Sequence, residues 1–413
     1  MHRMNPHRIN PMLQNTPSST HYTWMQQALQ QAKRGLYSTH PNPRVGCVIV
    51  KNGVVLGTGY HLQAGQPHAE IMALRAAQEE HGSSTIRGAT LYVTLEPCFH
   101  QGRTPPCTQA IIQAGIQTVY LAAIDPNPAV TRKGMTALQQ AGIAVHTGLL
   151  ADETQQLNAG YWCRHQRKRP FTRLKLAISL DGRSSRIPHN TQQKNRWITG
   201  AAARKDVQHW RAMSSAIMTG INTVVTDNPQ LNVRGLEGHA NDKPWRQPDL
   251  FIIDNGYLSI APDARIFAAK RRVFLVTQAK FLQKNANCLR TRTFPGQLEL
   301  LEMPCQPDTR HTDLHPLGRY LAETGINELL VEAGRGLSSS CLRSGLVDQL
   351  IIYQAPVLLS DREYGVLTSG PEYGLSMDLK IINTTQIGQD IRYIAEPQDA
   401  VLQDISCLSN TVY

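Results

Sequence analysis

The sequence predicts an α/β protein of two domains, and three observations carry that reading. The chain has 413 residues, which at about 150 residues per domain suits two or three domains. Apolar segments rich in β-branched residues alternate with helical stretches on both sides of a polar, basic interval at 151–170, the pattern of a layered α/β fold. Hydrophobic residues make up 41% and charged residues 18%, ample for buried cores and unlike a disordered chain.

Residues 1–20 mix Pro with polar residues and lack the apolar stretch of a signal peptide, so they read as a loose tail. A first domain is expected over 21–165. Its strands are VGCVIV (45–50), ATLYVTL (89–95) and TVYLAAI (118–124), and its helices cover 67–80, 106–114 and 131–141. The interval 151–170 ends at Pro170 and is expected to be a linker. A second domain over 170–413 resumes the alternation. Its strands are FTRLKLAIS (171–179), AIMTG (216–220), LFIID (250–254), RVFLVT (272–277), ELLVEAG (328–334) and QLIIYQAPVLL (349–359), with helices at about 200–212 and from 337.

Lys and Arg total 42 against 31 Asp and Glu, a formal charge of +11. That favours anionic partners, whether nucleic acid, membrane surface or phosphorylated small molecules, without choosing among them. The densest basic run is Arg164, Arg167, Lys168, Arg169, Arg173 and Lys175. It reads as a solvated linker before a nucleic-acid patch, because aromatic residues are only 6% and base stacking draws on them. The longest apolar runs fall far short of the roughly 18 residues a membrane span needs, so no membrane helix is expected. Eight cysteines with no secretory signal point to reduced thiols in the cytoplasm, where an unusual cysteine is a metal ligand or nucleophile rather than half of a bridge.

The first chemical constellation is Pro-His-Ala-Glu at 67–70, followed after the strand ATLYVTL by Glu-Pro-Cys-Phe-His-Gln-Gly-Arg-Thr-Pro-Pro-Cys at 96–107. Pro67 and Pro106 suit helix starts, which puts His68, Glu70 and Cys107 in first helical turns. His68, Cys98 and Cys107 supply one imidazole and two thiolates, leaving a fourth tetrahedral position open as in catalytic zinc. Helix N-termini add potential that favours thiolate. Zinc acidifies water, and a carboxylate that is not a ligand then shuttles protons, the role for which Glu70 is placed. A lone histidine with two cysteines is ordinarily just structure. The joint pattern is nevertheless the one described for zinc deaminases, whose second spacing is normally Cys-x-x-Cys.

Here eight residues separate the cysteines, and the insert HQGRTPP resembles the deaminase half of the bifunctional riboflavin-biosynthesis deaminase-reductases. The resemblance extends to HPNPRVGCVIV (40–50), GYH (59–61), PHAE (67–70) and DPNP (125–128). It implies a cytidine-deaminase-like three-layer α/β/α domain with zinc on His68, Cys98 and Cys107, and Glu70 as the proton shuttle. It also implies a substrate pocket lined by Asn42, His61, Arg103, Asp125 and Asn127. Asn42, Asp125 and Asn127 equally suit simple turns. Phe99 stands where the family commonly has a small hydroxyl residue, and His100 is either a support for a ligand or a solvated loop residue.

A second ordered set follows: KLAISLDGR (175–183), NRWITG (195–200), DVQHWRA (206–212), TDNPQLNVR (226–234) and VEAGRGLSSSCL (331–342). In the last, a strand ends at Glu332, a Gly-rich turn follows, and Ser338 to Ser340 are expected to open a helix whose N–H groups suit phosphate. GRGLSS lacks the final Gly of a dinucleotide fingerprint and lies late in its domain, which disfavours a Rossmann domain. The set resembles the reductase half of the same family, whose fold is dihydrofolate-reductase-like. The resemblance implies NADPH contacts at Ala177, Trp197, Thr223, Asp227, Asn255 and the turn of Gly334, Arg335, Gly336, Leu337, Ser338, Ser339 and Ser340. Substrate contacts are implied at Asn195, Arg211, Leu231, Arg234 and Glu332. Arg211 and Arg234 make sense as phosphate clamps, since a guanidinium presents a planar fork. Asn195 stands where relatives commonly have Ser, and 184–194 is longer than typical. Lys175 and Asp181 are candidate orienting groups or proton donors.

By the resemblance, a diaminopyrimidinone ribosyl phosphate is first deaminated and its ribosyl side chain then reduced to ribityl with NADPH. The expected partners are phosphorylated pyrimidines, with no nucleic acid or membrane, and a homo-oligomer is left open. The alternative is a zinc-dependent nucleobase deaminase acting on nucleic acid, with an accessory C-terminal domain.

Overall fold

The structure, a computed structural model, describes residues 19–99, 106–184, 197–237, 244–254, 256, 260–281, 298–305, 312–359, 365–367 and 377–398. The chain divides between Asn158 and Ala159 into two units.

The first unit runs α1 (Ser19–Lys33), β1 (Gly46–Lys51), β2 (Val54–Tyr60), α2 (Ala69–His81), α3 (Ser83–Ile86), β3 (Thr90–Leu95), α4 (Cys107–Gln113), β4 (Thr118–Ala123), α5 (Lys133–Gln140), β5 (Ala144–Thr147) and α6 (Ala151–Leu157). Its sheet has the order β2-β1-β3-β4-β5. β1 is antiparallel to both neighbours, whereas β3, β4 and β5 are parallel. Strand alternation sends Cys47, Ile49, Leu91 and Val93 into a core with Ala69, Ala73, Ala77 and Ile111. Val48, Val50 and Tyr92 point the other way, toward Met25, Ala28 and Leu150. The result is the expected three-layer α/β/α sandwich.

Small residues set how closely the α2 layer approaches. Ala69, Ala73 and Ala77 recur at helical spacing on α2 and face the glycines of β2. A Cβ on Gly57 would lie 2.4 Å from the Ala73 carbonyl oxygen, and one on Gly59 would lie 2.3 Å from that of Ala69. This contact lays the start of α2 against the sheet and so fixes where His68 and Glu70 stand.

The second unit runs α7 (Ala159–Arg167), β6 (Phe171–Ser179), α8 (Ala201–Met213), β7 (Ala216–Gly220), α9 (Ile221–Asp227), β8 (Asp249–Ile253), β9 (Val273–Thr277), β10 (Leu298–Glu302), α10 (Leu314–Glu323), β11 (Glu328–Val331), α11 (Arg335–Arg343), β12 (Gln349–Ala355), β13 (Leu379–Ile387) and β14 (Asp390–Pro397). Its nine-stranded sheet has the order β10-β9-β8-β7-β11-β6-β12-β14-β13. The run from β10 to β12 is parallel, and β14 and β13 close it as an antiparallel hairpin. The chain builds outward from β6 through β7, β8, β9 and β10, then returns to insert β11 between β7 and β6. Strand order therefore reverses there, and in open α/β sheets ligands bind at the carboxyl ends of strands beside such a reversal.

Two expectations need correction. The tail expected over 1–20 does not extend to residue 20, since α1 begins at Ser19 and buries Met25, Ala28, Leu29 and Ala32 on one face. The interval 151–170 is not a linker. It forms α6 and α7, and α7 belongs to the second unit and buries Tyr161, Trp162 and Cys163. Of the basic run, Arg169 and Arg173 are buried, while Arg167 and Lys168 stay exposed. Arg169 donates from Nη1 and Nη2 to Asp348 at 2.6 and 2.8 Å, and Asp348 also accepts from the Thr172 backbone N–H at 2.8 Å. Arg173 pairs with Glu328 at 3.4 Å. These charges are consumed in tying the start of β6 to β11 and β12.

Candidate active sites

In the first unit the sequence motif becomes a compact donor set. β3 delivers Glu96, Pro97 and Cys98, Cys107 opens α4 with Pro106 as its cap, and His68 caps α2. His68 thus sits one position before the helix rather than inside its first turn, while Glu70 occupies that turn. His68 Nδ1 lies 3.5 Å from Cys98 Sγ and 3.3 Å from Cys107 Sγ, and the three ligand atoms lie within 4.8 Å of one another. Metal bonds of about 2.3 Å to sulfur and about 2.0 Å to nitrogen, at a tetrahedral angle, put N and S about 3.6 Å apart. The residues present therefore fit zinc. The Cys107 N–H donates to Cys98 Sγ at 3.3 Å, so the start of α4 supports negative charge on that sulfur.

Hydrogen bonding from Cys107 brings Cys98 down to about 4, with His68 adding to the effect against burial, and the same bond pushes Cys107 up. Its contact with Cys98 raises His68. Glu70 is 3% exposed, and burial pushes its carboxyl up to about 7, against the pull of His68. It touches Cys107 but is not part of the donor set.

Asn42 and His61 come together beside these groups. Asn42 Nδ2 lies 3.0 Å from His61 Nε2, and His61 Nδ1 lies 3.2 Å from the Pro67 carbonyl oxygen. The His61 ring stands edge-on to that of His68 at 5.3 Å, and burial lowers its pKa. Asp125 and Asn127 form successive turns after β4. Asp125 Oδ1 accepts from the Asn127 N–H at 2.8 Å, and Asn127 Oδ1 from the Ala129 N–H at 3.1 Å. Phe99 is exposed. Arg103 and His100 lie outside the described residues.

In the second unit the carboxyl ends of β6, β7 and β11 gather most of the expected residues. Arg211, on α8, grips Glu332 with Nε to Oε1 at 2.6 Å and Nη2 to Oε2 at 3.0 Å. Its Nη1 donates to the Asn232 carbonyl at 3.1 Å. Lys175 on β6 approaches Glu332 at 3.8 Å. Burial lowers Lys175. Burial alone would raise Glu332, but Arg211, Lys175 and Arg234 outweigh it and hold the carboxyl low. Arg234 is exposed and donates to Asn232 Oδ1 at 2.6 Å; partial burial and the charges of Arg211 and Arg265 lower it.

Thr223 on α9 reaches the Gly-rich turn, where its Oγ1 accepts from the Gly334 N–H at 3.2 Å. Gly334 caps α11, which begins at Arg335, two residues before the expected start. Ser338, Ser339 and Ser340 therefore lie inside the helix. Ser338 and Ser339 are buried, and the Ser338 and Ser340 hydroxyls bond back to the carbonyls of Ala333 and Gly336. The exposed part of the turn is Gly334, Arg335 and Gly336, followed by the partly buried Leu337. Ala177 lies in β6 opposite Tyr353. Asp227 ends α9 exposed. Trp197 is 59% exposed, with Arg204 over its ring at 5.1 Å. Leu231 adopts a left-handed φ of 47° and buries its side chain in the core with Ile260 and Ile266. Its carbonyl accepts from Arg271. Asp181 accepts from the Leu359 N–H and the Ser179 hydroxyl, shaping the turn after β6. Asn195 and Asn255 lie outside the described residues.

Sequence reasoning missed Glu96 and Arg271. Glu96 carries a signal, since it directly precedes Pro97 and Cys98. Arg271 carries none, because its carbonyl partners in 230–231 are distant in sequence.

Two family models match the chain: the cytidine and deoxycytidylate deaminase zinc-binding region over residues 18–123, and the RibD C-terminal domain over residues 170–393. With the donor set above, they define the class as a zinc deaminase joined to a reductase. The riboflavin biosynthesis protein RibD of Haemophilus influenzae is 41% identical over 396 residues, covering 92% of this chain and 98% of its own. The solved structure of Acinetobacter baumannii RibD superposes with a TM-score of 0.79 at 41% identity, covering 92% of this chain and 99% of that one. A diaminohydroxyphosphoribosylaminopyrimidine deaminase/5-amino-6-(5-phosphoribosylamino)uracil reductase from Thermotoga maritima gives 0.76 at 31% identity, with 92% and 99% covered. The chain belongs to the RibD family, the two-domain deaminase-reductases of riboflavin biosynthesis. Among the described residues no helix is long and apolar enough to cross a membrane.

Proposed function

We propose that the first domain hydrolytically removes the C2 amino group of 2,5-diamino-6-(5-phosphoribosylamino)pyrimidin-4(3H)-one, and that the second then reduces the ribosylamino side chain to ribitylamino with NADPH. The observation that carries this is the buried, unligated Glu70 beside the His68, Cys98 and Cys107 donor set, in a chain that also holds the reductase domain. The order follows from the chemistry. The Thermotoga maritima relative is named as a uracil reductase, and a uracil is what deamination of the diaminopyrimidine leaves.

His68, Cys98 and Cys107 hold zinc, which when bound supplies a Lewis acid that makes water a nucleophile near neutral pH. Glu70 takes the proton from the attacking water oxygen and delivers it to the departing amino nitrogen. His61 donates from Nδ1 to the Pro67 carbonyl, which leaves Nε2 to accept from Asn42 Nδ2. Asn42 Oδ1 is then the acceptor this pair offers to a pyrimidine N–H. Asp125, Asn127 and Arg103 complete the pocket.

In the second domain, hydride transfer needs nicotinamide and target carbon held in contact, so positioning carries the rate. Ala177, Thr223, Asp227, Trp197, Asn255 and the 334–340 segment, through its exposed start at Gly334, Arg335 and Gly336, hold NADPH. Arg234 meets the substrate phosphate, and Arg211, committed to Glu332, orients that carboxylate and the backbone of 231–232. Asn195 and the Leu231 backbone complete the contacts. Lys175 and Glu332 face the ribosyl group. The reactions belong in the cytoplasm, with no nucleic acid involved. The nucleic-acid reading has no use for a reductase domain.

The experiment is Glu70→Gln assayed for ammonia release and zinc content. Loss of ammonia release with zinc retained supports the assignment, and unchanged turnover removes Glu70 from it.

A further inference from the structure

We propose that Glu96 is a positioning residue for deamination: its buried carboxylate fixes the loop carrying Asp125 and Asn127 against the strand end that carries Cys98. The inference rests on the pocket assignment above and deepens it. Glu96 is 6% exposed and directly follows β3, where its N–H donates to the Ala123 carbonyl at 3.0 Å. Its two carboxylate oxygens collect three backbone N–H groups from one stretch of chain. Oε2 accepts from Asp125 at 3.3 Å and from Arg132 at 2.9 Å, and Oε1 accepts from Met135 at 3.1 Å.

No Lys, Arg or His among the described residues forms an ion pair with Glu96, so its charge is met by backbone dipoles. The carboxylate also does what the cap of α5 cannot. That cap is Arg132, in a left-handed conformation and without a side-chain capping bond, and Glu96 reaches in from β3 to take the N–H groups of Arg132 and Met135 instead. The loop sits tightly here. A Cβ on Gly134 would lie 2.0 Å from the Pro97 carbonyl oxygen, so the helix start abuts the residue before Cys98. From Asp125 the order passes on through the bonds to Asn127 and Ala129.

An amide in place of the carboxylate must turn an NH2 toward at least one of these donors. The test is the Glu96→Gln variant of the full zinc-loaded chain, measured beside Asp125→Asn and the double variant. The expected result is a rise of about tenfold or more in the deaminase KM, the loss of one charge-assisted hydrogen bond. Zinc should stay at one per chain, and the kcat/KM for NADPH-dependent reduction of the deaminated substrate should be unchanged. The double variant should be little worse than Asp125→Asn alone, because Glu96 acts through that loop. An unchanged KM in Glu96→Gln beside an impaired Asp125→Asn overturns the proposal and leaves the pocket assignment standing. Zinc loss, or fully additive effects in the double variant, overturns it in favour of a role in holding Cys98 or in general stability. An unimpaired Asp125→Asn overturns the pocket assignment and this proposal with it.

Discussion

Glu70, Arg234, Arg211 and His165 each make a claim that a single substitution can check. Glu70→Gln keeps the shape of a buried side chain but removes the proton acceptor, so deamination should fall by about 10²–10⁴ while zinc content holds. Arg234 and Arg211 should separate. Arg234 is exposed, and Arg234→Ala should raise the reductase KM with little change in the urea midpoint. Arg211→Ala leaves the buried Glu332 without its fork and should cost about 3–5 kcal/mol of stability as well. Ammonia release should survive both. His165 sets a pH dependence. Burial and the charges of Arg164 and Lys168 hold it down to about 4, below the unfolded value of about 6.5. The unfolded chain therefore binds the proton first, and stability is lost as pH falls from about 6.5 toward about 4. Thermal melts of His165→Gln should lose less over that window than those of the parent.

Among the elements, the start of β6 is fastened by Asp348, which accepts from Arg167, Arg169 and the Thr172 backbone. Asp348→Ala should destabilise the reductase domain by about 3–5 kcal/mol, since it strands the buried Arg169; a lower urea midpoint for NADPH binding is the check. The element scale also shows what could be read in sequence. Strands such as VGCVIV and TVYLAAI were legible because they are buried on both faces and read as continuous β-branched runs. β2 was not, because Gly57 and Gly59, needed for close approach to α2, dilute its strand pattern. The Asn52-Gly53 pair, with both residues at positive φ, is the hairpin signal that marks it. α7 reads as a linker because its short apolar run Tyr161, Trp162 and Cys163 gives way to polar and basic residues, and only the tertiary partners Asp348 and Glu328 show that Arg167, Arg169 and Arg173 are paired in the fold. The metal site was legible because each ligand sits in a short motif at a helix or strand end. The reductase cluster was not legible from local chemistry, since Arg211 and Glu332 lie 121 residues apart and only the fold brings them together.

For the whole molecule, the account is of two chemistries in series on one chain. Removing zinc with a chelator should abolish ammonia release yet leave NADPH oxidation intact when the deaminated substrate is supplied, because the donor set and the reductase cluster belong to different units. The measurement that bears most directly on the account follows ammonia and NADPH absorbance together after adding the diaminopyrimidinone ribosyl phosphate, for the parent and for Glu70→Gln, with zinc quantified in both. The account predicts about one zinc per chain in each, as a single donor set of three protein ligands requires. In the parent, ammonia should precede NADPH oxidation. In the variant neither should occur until deaminated substrate is added, whereupon oxidation proceeds at the parental rate. NADPH oxidation by the variant on the undeaminated compound would contradict it.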